Sequence, residues 1–167
     1  HCPGTGLRVV SIAWRIRAWG DEAVERGFIA MGIVAVSNDE VVVHDRPTPE
    51  ELRRRIGAAH PETKPRGIAI FTRYWKNFLD DMQVADVVAV PLSGRRVAIG
   101  VVLGDARWQG DLPSWARNNR PVEWVCADLP RDRLPEDLLK TVNSMGTICR
   151  FNAEAAANRL LKLAMSE

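Results

Sequence analysis

The stretch from Asp86 to Leu103 sets two apolar runs on either side of one tight turn, and it constrains the fold more than any other part of the chain. Asp86 to Pro91 reads as a buried strand, Leu92-Ser93-Gly94-Arg95 as a hairpin turn, and Arg96 to Leu103 as the antiparallel partner, closed by Gly104-Asp105. A hairpin this apolar is not stable by itself in water and needs further strands and covering helices.

The rest of the chain supplies both. Val9 to Ala18 alternates Ile12, Trp14, Ile16 and Ala18 with Ser11, Ala13, Arg15 and Arg17, which predicts a strand with one polar face. Trp19-Gly20-Asp21 ends it, and Asp21 caps a short helix through Gly27. Phe28 to Val36 is apolar enough for a buried strand, followed by a turn at Ser37-Asn38-Asp39-Glu40. Thr48, Pro49 and Glu51 form a capping box that opens a helix to about Ala59. Gly67 to Phe71 reads as a short strand and Arg73 to Met82 as a helix with Trp75, Phe78, Leu79 and Met82 on one face. Asp111 to Arg120 is a polar loop or helical turn, and Pro121 to Leu129 a strand. A helix over Pro135 to Val142, a strand over Thr147 to Phe151 and a terminal helix capped by Asn152 complete the pattern. About six strands separated by helices of varied length favour an α+β fold, with residues 8–167 as a single domain and residues 1–7 as an expression scar or linker.

Composition narrows the function by exclusion. Hydrophobic residues make up 46% and charged residues 26%, which suits a globular chain and not a disordered one. No apolar run approaches the thickness of a bilayer, so no membrane association is expected. Cys2, Cys126 and Cys149 form no Cys-x-x-Cys pair, and their odd number speaks for a reducing, cytoplasmic setting. The three histidines lack partners at metal-ligand spacing, so neither a metal nor another cofactor is expected. No phosphate-binding glycine loop, nucleophile elbow or zinc-protease helix is present. Asp80, Asp81 and Asp86 are the nearest approach to a nuclease carboxylate cluster, but no lysine sits in an adjacent strand. The domain is expected not to be an enzyme.

Two features point instead to binding. Of the 23 basic residues only Lys64, Lys76, Lys140 and Lys162 are lysines, and arginine forks suit phosphates and base edges, although a GC-rich genome yields the same excess. The net charge of +2 does not mark a phosphate-coating protein. Six tryptophans against one tyrosine can pack a core or line a cage. Trp14, Trp124 and Trp75 share apolar faces and read as core. Trp19 and Trp108 follow predicted strands beside glycine and aspartate, where an aromatic either presents a stacking platform or plugs a core edge. Trp115 lies among loop donors suited to phosphate contacts.

Several runs taken together resemble a known family. Phe78-Leu79-Asp80-Asp81-Met82-Gln83-Val84-Ala85-Asp86 leading into Val87 to Pro91, then Arg96-Val97-Ala98-Ile99-Gly100-Val101-Val102-Leu103-Gly104 followed by Trp108, resemble the EVE-like branch of the PUA superfamily. Arg120-Pro121-Val122-Glu123-Trp124-Val125, Gly146-Thr147-Ile148-Cys149-Arg150, Trp14 to Ala18 and Ala30-Met31-Gly32-Ile33 are similar to further parts of that pattern, so the resemblance covers nearly the whole chain. Ala85 stands where the family usually has glycine, and Ile33 where it often has tryptophan.

The resemblance implies a curved β-sheet pseudobarrel of about six strands with surrounding helices. It also implies a reader that takes a flipped, modified base, such as 5-methylcytosine, into an aromatic pocket. Modified double-stranded DNA is the implied partner, with a fused or associated restriction nuclease. Extruding a base costs a few kcal/mol, to be recovered by stacking and edge hydrogen bonds. A methyl group against an apolar wall adds roughly 1 kcal/mol. The candidate base-pocket residues are Trp19, Asp21, Ser37, Tyr74, Trp75 and Trp108, and the candidate backbone-binding residues are Arg17, Arg73, Arg107, Arg117 and Arg120. An RNA-binding PUA-like module, a small-molecule or nucleotide sensor, and a protein-interaction scaffold are the alternatives.

Overall fold

The computed structural model describes residues 11–36 and 41–166. The first two residues of the strand expected from Val9, and the turn expected at Ser37 to Glu40, lie outside the described residues. The predicted hairpin is present as β3 (Val87–Leu92) and β4 (Arg96–Val102), paired antiparallel from Val87↔Val101 to Leu92↔Arg96. Gly94 (φ 75°) and Arg95 (φ 58°) both take left-handed conformations in the turn.

Around the hairpin the sheet adds β1 (Ala13–Ile16), β2 (Ile33–Ala35), β6 (Asn118–Pro130) and β7 (Ile148–Arg150), in the order β2-β6-β4-β3-β1-β7, with the two-residue β5 (Arg107–Trp108) on β6. Among the described residues only β1 and β3 run parallel; the other pairs are antiparallel. The result is a curled, mixed half-barrel in an α+β fold. Curling is located at β4 and β6, whose register slips on both sides of Ile99; such bulges bend a strand and increase its twist. Gly100 permits the crossing, because a side chain there would meet Trp124, Val122 and the Glu123 carbonyl.

Both sheet faces are covered, and the two-residue period of the strands sorts their side chains into two cores. Trp14, Ile16, Val88, Val90, Ala98 and Val102 join one core with α1 (Glu22–Met31), α2 (Pro49–Ala59) and α3 (Pro65–Lys76). Ala13, Val87, Ala89, Val97 and Ile99 join the other with α4 (Glu136–Val142) and α5 (Ala156–Met165). The expected polar face of β1 is therefore corrected: Arg15 is fully buried, since the segment after α4 folds over it.

Four element assignments also change. The Asp21 cap holds, accepting from the Ala23 N–H at 2.9 Å, but α1 runs on to Met31 and takes half of the strand expected at Phe28 to Val36. Gly32 ends it at φ 65°, and Phe28 is buried by the helix, not by a strand. The strand expected at Gly67 to Phe71 is the first half of α3, started by Pro65 in its first turn; a short apolar run does not reveal its period. After Lys76 the helix widens into a π-helical turn over Asn77–Asp81. Asn118, Asn119 and Arg120, expected in a loop, begin β6 and are buried. The terminal helix starts at Ala156, not after Asn152, and Ala155 precedes it in a left-handed conformation without a side-chain cap.

One carboxylate fastens this arrangement. Buried Asp86 accepts from the Ile12 N–H (3.0 Å), the Trp14 indole N–H (3.0 Å) and the Gln83 N–H (2.9 Å). Ala85, beside it, sits at φ 73°, a conformation that costs a non-glycine residue roughly 1–2 kcal/mol. Ala85→Gly relieves that cost and gives up part of it to chain entropy, so urea denaturation is expected to show a gain of about 0.5–1 kcal/mol. Asp86→Asn keeps the shape but sets an NH2 among N–H donors, and the same measurement is expected to show a loss of about 2–3 kcal/mol.

A candidate binding cleft between the sheet and α3

A cleft of about 720 Å³ opens between β1, β7 and the α3–π-turn segment. Trp14 and Ile148 bring apolar surface from paired strands, since Ile16↔Ile148 and Trp14↔Arg150 are in register. Tyr74 and Asn77 come from the other side, one turn apart on α3 and its continuation, with Asp80, Asp81 and Gln83 following. Arg73, Met145, Arg150 and Asn152, with Ile12 and Cys149, complete the lining. The volume lies inside the roughly 300–1,000 Å³ typical of small-ligand sites. The lining offers aromatic surface, amide groups that donate and accept, two carboxylates and two guanidinium groups. Asp81 is engaged by Lys76 at 3.3 Å, whereas Asp80, Arg73 and Arg150 are exposed.

The wall formed by residues 144–146 is held by two arginines. Arg15 donates to the Gly146 carbonyl, to the Met145 carbonyl (2.9 Å), to Ser144 Oγ (3.3 Å) and to Cys149 Sγ (3.0 Å). Arg17 donates to the Ser144 carbonyl, and its burial, followed by the charge of Arg15, lowers its pKa from the ordinary arginine value. Gly146 is required here: at φ 100°, any side chain would approach the Tyr74 hydroxyl to 2.8 Å. Tyr74 and the loop therefore fit closely across one side of the cleft.

Of the residues named from sequence, Tyr74 and Arg73 line this cleft. Trp75 does not; it is buried in the core, edge-to-face with Phe78 at 6.2 Å. Trp19 is 55% exposed in the turn after β1, and Asp21 next to it is used as the α1 cap; neither lines the cleft. Trp108 is also exposed, but it stands over His44 at 5.4 Å beside a separate recess that it shares with Arg107, Arg46 and Asn118. Ser37 lies outside the described residues. Trp115, expected as a loop contact, packs on Phe28 at 6.0 Å and occupies the space over Gly27.

The arginines divide in the same way. Arg107 Nε donates to Asn119 Oδ1 (2.8 Å) with its side chain at the surface, and Arg117 Nε donates to the Leu112 carbonyl (3.0 Å). Arg120 is buried, not presented to a phosphate. It donates to the carbonyls of Phe78 (2.8 Å), Leu79 (3.1 Å) and Gly104 (3.1 Å), and so serves carbonyls of the widened π-turn. Burial lowers its pKa to about 10, against the opposing influence of Asp105.

Sequence reading missed Asn77, Gln83, Met145, Arg150 and Asn152, and it took Trp14 as core only. No local signal marks them, because the cleft joins segments more than a hundred residues apart. Among the described residues no group of His, Cys, Asp and Glu is placed to hold a metal ion, and no helix is long and apolar enough to cross a membrane.

Removing Arg120 and removing Arg107 are expected to have consequences of different size. Arg120→Met leaves the Phe78 and Gly104 carbonyls without this donor and takes from the Leu79 carbonyl one of its two, the other being Arg46, and is expected to cost about 3 kcal/mol in urea denaturation. Arg107→Gln takes the donor from one buried oxygen, Asn119 Oδ1, and is expected to cost about 1 kcal/mol in the same measurement.

Comparison with curated proteins finds no match. A family model does match residues 14–152, which span the sheet from β1 to the end of β7 and the whole lining of the cleft apart from Ile12. By that match the chain belongs to the family described as Domain of unknown function (DUF8426).

Proposed function

We propose that this domain is a PUA-like, EVE-like reader that recognises a modified base in double-stranded DNA by taking the flipped base into the cleft between β1, β7 and α3. The observation that carries the reading is the lining of that cleft: Tyr74 supplies aromatic surface beside the edge of the nearly buried Trp14, while Asn77, Gln83 and the exposed Asp80 supply hydrogen-bonding groups for a base edge. A flipped base needs both kinds of contact to offset the lost stacking and pairing. Arg73 and Arg150 at the same cleft are placed to meet the flanking phosphates. The curled half-barrel with helices on both faces agrees with the PUA-like architecture that the sequence motifs resemble. A methylated cytosine is the favoured ligand, and an associated nuclease the favoured effector.

Matched modified and unmodified duplexes, titrated at two salt concentrations, test this. Preferential binding of the modified duplex is expected, with affinity falling steeply as salt rises because phosphate contacts contribute to it. Tyr74→Ala is expected to weaken binding of the modified duplex at least tenfold while leaving the weaker, unmodified binding nearly unchanged, since stacking contributes about 1–3 kcal/mol per base. Equal affinity for both duplexes would sink the reading, and tight binding of a free nucleotide without any duplex binding would replace it with a sensor.

A further inference from the structure

We propose that Met145 is a wedge that enters the duplex and fills the space left by the extruded base; this rests on the base-reading proposal above. Met145 is 91% exposed, which makes it the most solvent-exposed of the large hydrophobic side chains in the described residues. It also lines the binding cleft, so an apolar side chain stands free at the point where a flipped base would have to pass. An unbranched thioether at such a place is flexible, apolar and free to meet a ligand.

Its backbone is unusually constrained for a surface loop. The carbonyls of Ser144, Met145 and Gly146 each accept from a guanidinium, Arg17 for the first and Arg15 for the other two. Arg15 lies in β1 and Arg17 directly follows it, so the loop is tied to the sheet. On the neighbouring side Gly146 closes against Tyr74 with no room for a side chain. A free apolar side chain on a fixed backbone, next to a cavity of base-accepting size, is the arrangement a wedge requires. Apolar side chains of this type, methionine included, are inserted between base steps by proteins that distort DNA, and the exchange replaces lost stacking with packing.

The wedge acts on the duplex and not on the base, which separates its failure from that of the reading proposal. Wild type, Met145→Ala and Met145→Leu are compared on three ligands that carry the same modified cytosine: a duplex, a duplex with an abasic site opposite the modified base, and a single strand. The expected result is that Met145→Ala weakens binding of the intact duplex at least tenfold, loses much less on the abasic duplex, and binds the single strand as the wild type does. Met145→Leu, which keeps the apolar bulk, is expected to remain within about threefold of the wild type on the intact duplex. A 2-aminopurine placed opposite the modified base is expected to change its fluorescence with the wild type and less with Met145→Ala. Equal binding of all three ligands by wild type and Met145→Ala would overturn the wedge while leaving the reader intact. Equal loss on all three ligands would make Met145 part of the base pocket and likewise overturn it. Absence of modified-base preference in the wild type would overturn both proposals together.

Discussion

Three parts of the molecule meet at the carboxylate of Asp86. It receives the N–H of Ile12 ahead of β1, the indole of Trp14 within β1, and the N–H of Gln83 in the turn that follows α3. A buried carboxylate without such donors is costly, so the residue forces its partners into place as much as it holds them. Because Trp14 and Gln83 both line the cleft, this contact joins the sheet side of the cavity to its helix side. The parallel pairing of β1 with β3 begins at the same point with Ala13↔Val87.

Two buried arginines complete the support from opposite ends. Arg15 closes the loop after α4 onto β1, and Arg120 closes the π-turn after α3 onto β6. Each donates largely to backbone carbonyls, with a guanidinium fork that reaches several oxygens at once. A π-turn exposes carbonyls that an α-helix would satisfy, and the Phe78 and Leu79 carbonyls receive Arg120 instead. Arginine in this chain is thus partly a structural cement. That removes Arg15 and Arg120 from any count of groups available to a phosphate, whereas Arg73, Arg107 and Arg150 are among the arginines at the surface.

The tryptophans show where local reasoning stops. Trp14 was legible as core because its alternation placed it with Ile12 and Ile16, yet its edge also forms part of the cleft. Trp19 follows β1 as expected, whereas Trp108 is itself part of β5; both are exposed, but they stand at the α1 turn and beside His44, away from the lining of that cleft. Tyr74 and Trp75 are neighbours in sequence with opposite surroundings, since a step of one residue on a helix turns the side chain by about 100°. Only the packing of α3 against the sheet decides which of the two faces the cavity.

What the sequence determined by itself was what short-range chemistry governs: the β3–β4 hairpin from its turn, and the starts of α1 and α2 from Asp21 and from the Thr48–Pro49–Glu51 box. Each depends on residues a few positions apart, whose spacing is visible in the chain. The tertiary structure alone decided that Phe28 belongs to a helix, that Arg15 and Arg120 are buried, and that Trp14, Tyr74, Gln83, Met145 and Arg150 surround one cleft. Those outcomes depend on contacts between segments far apart in the chain, and no pattern within one segment specifies what will be packed against it.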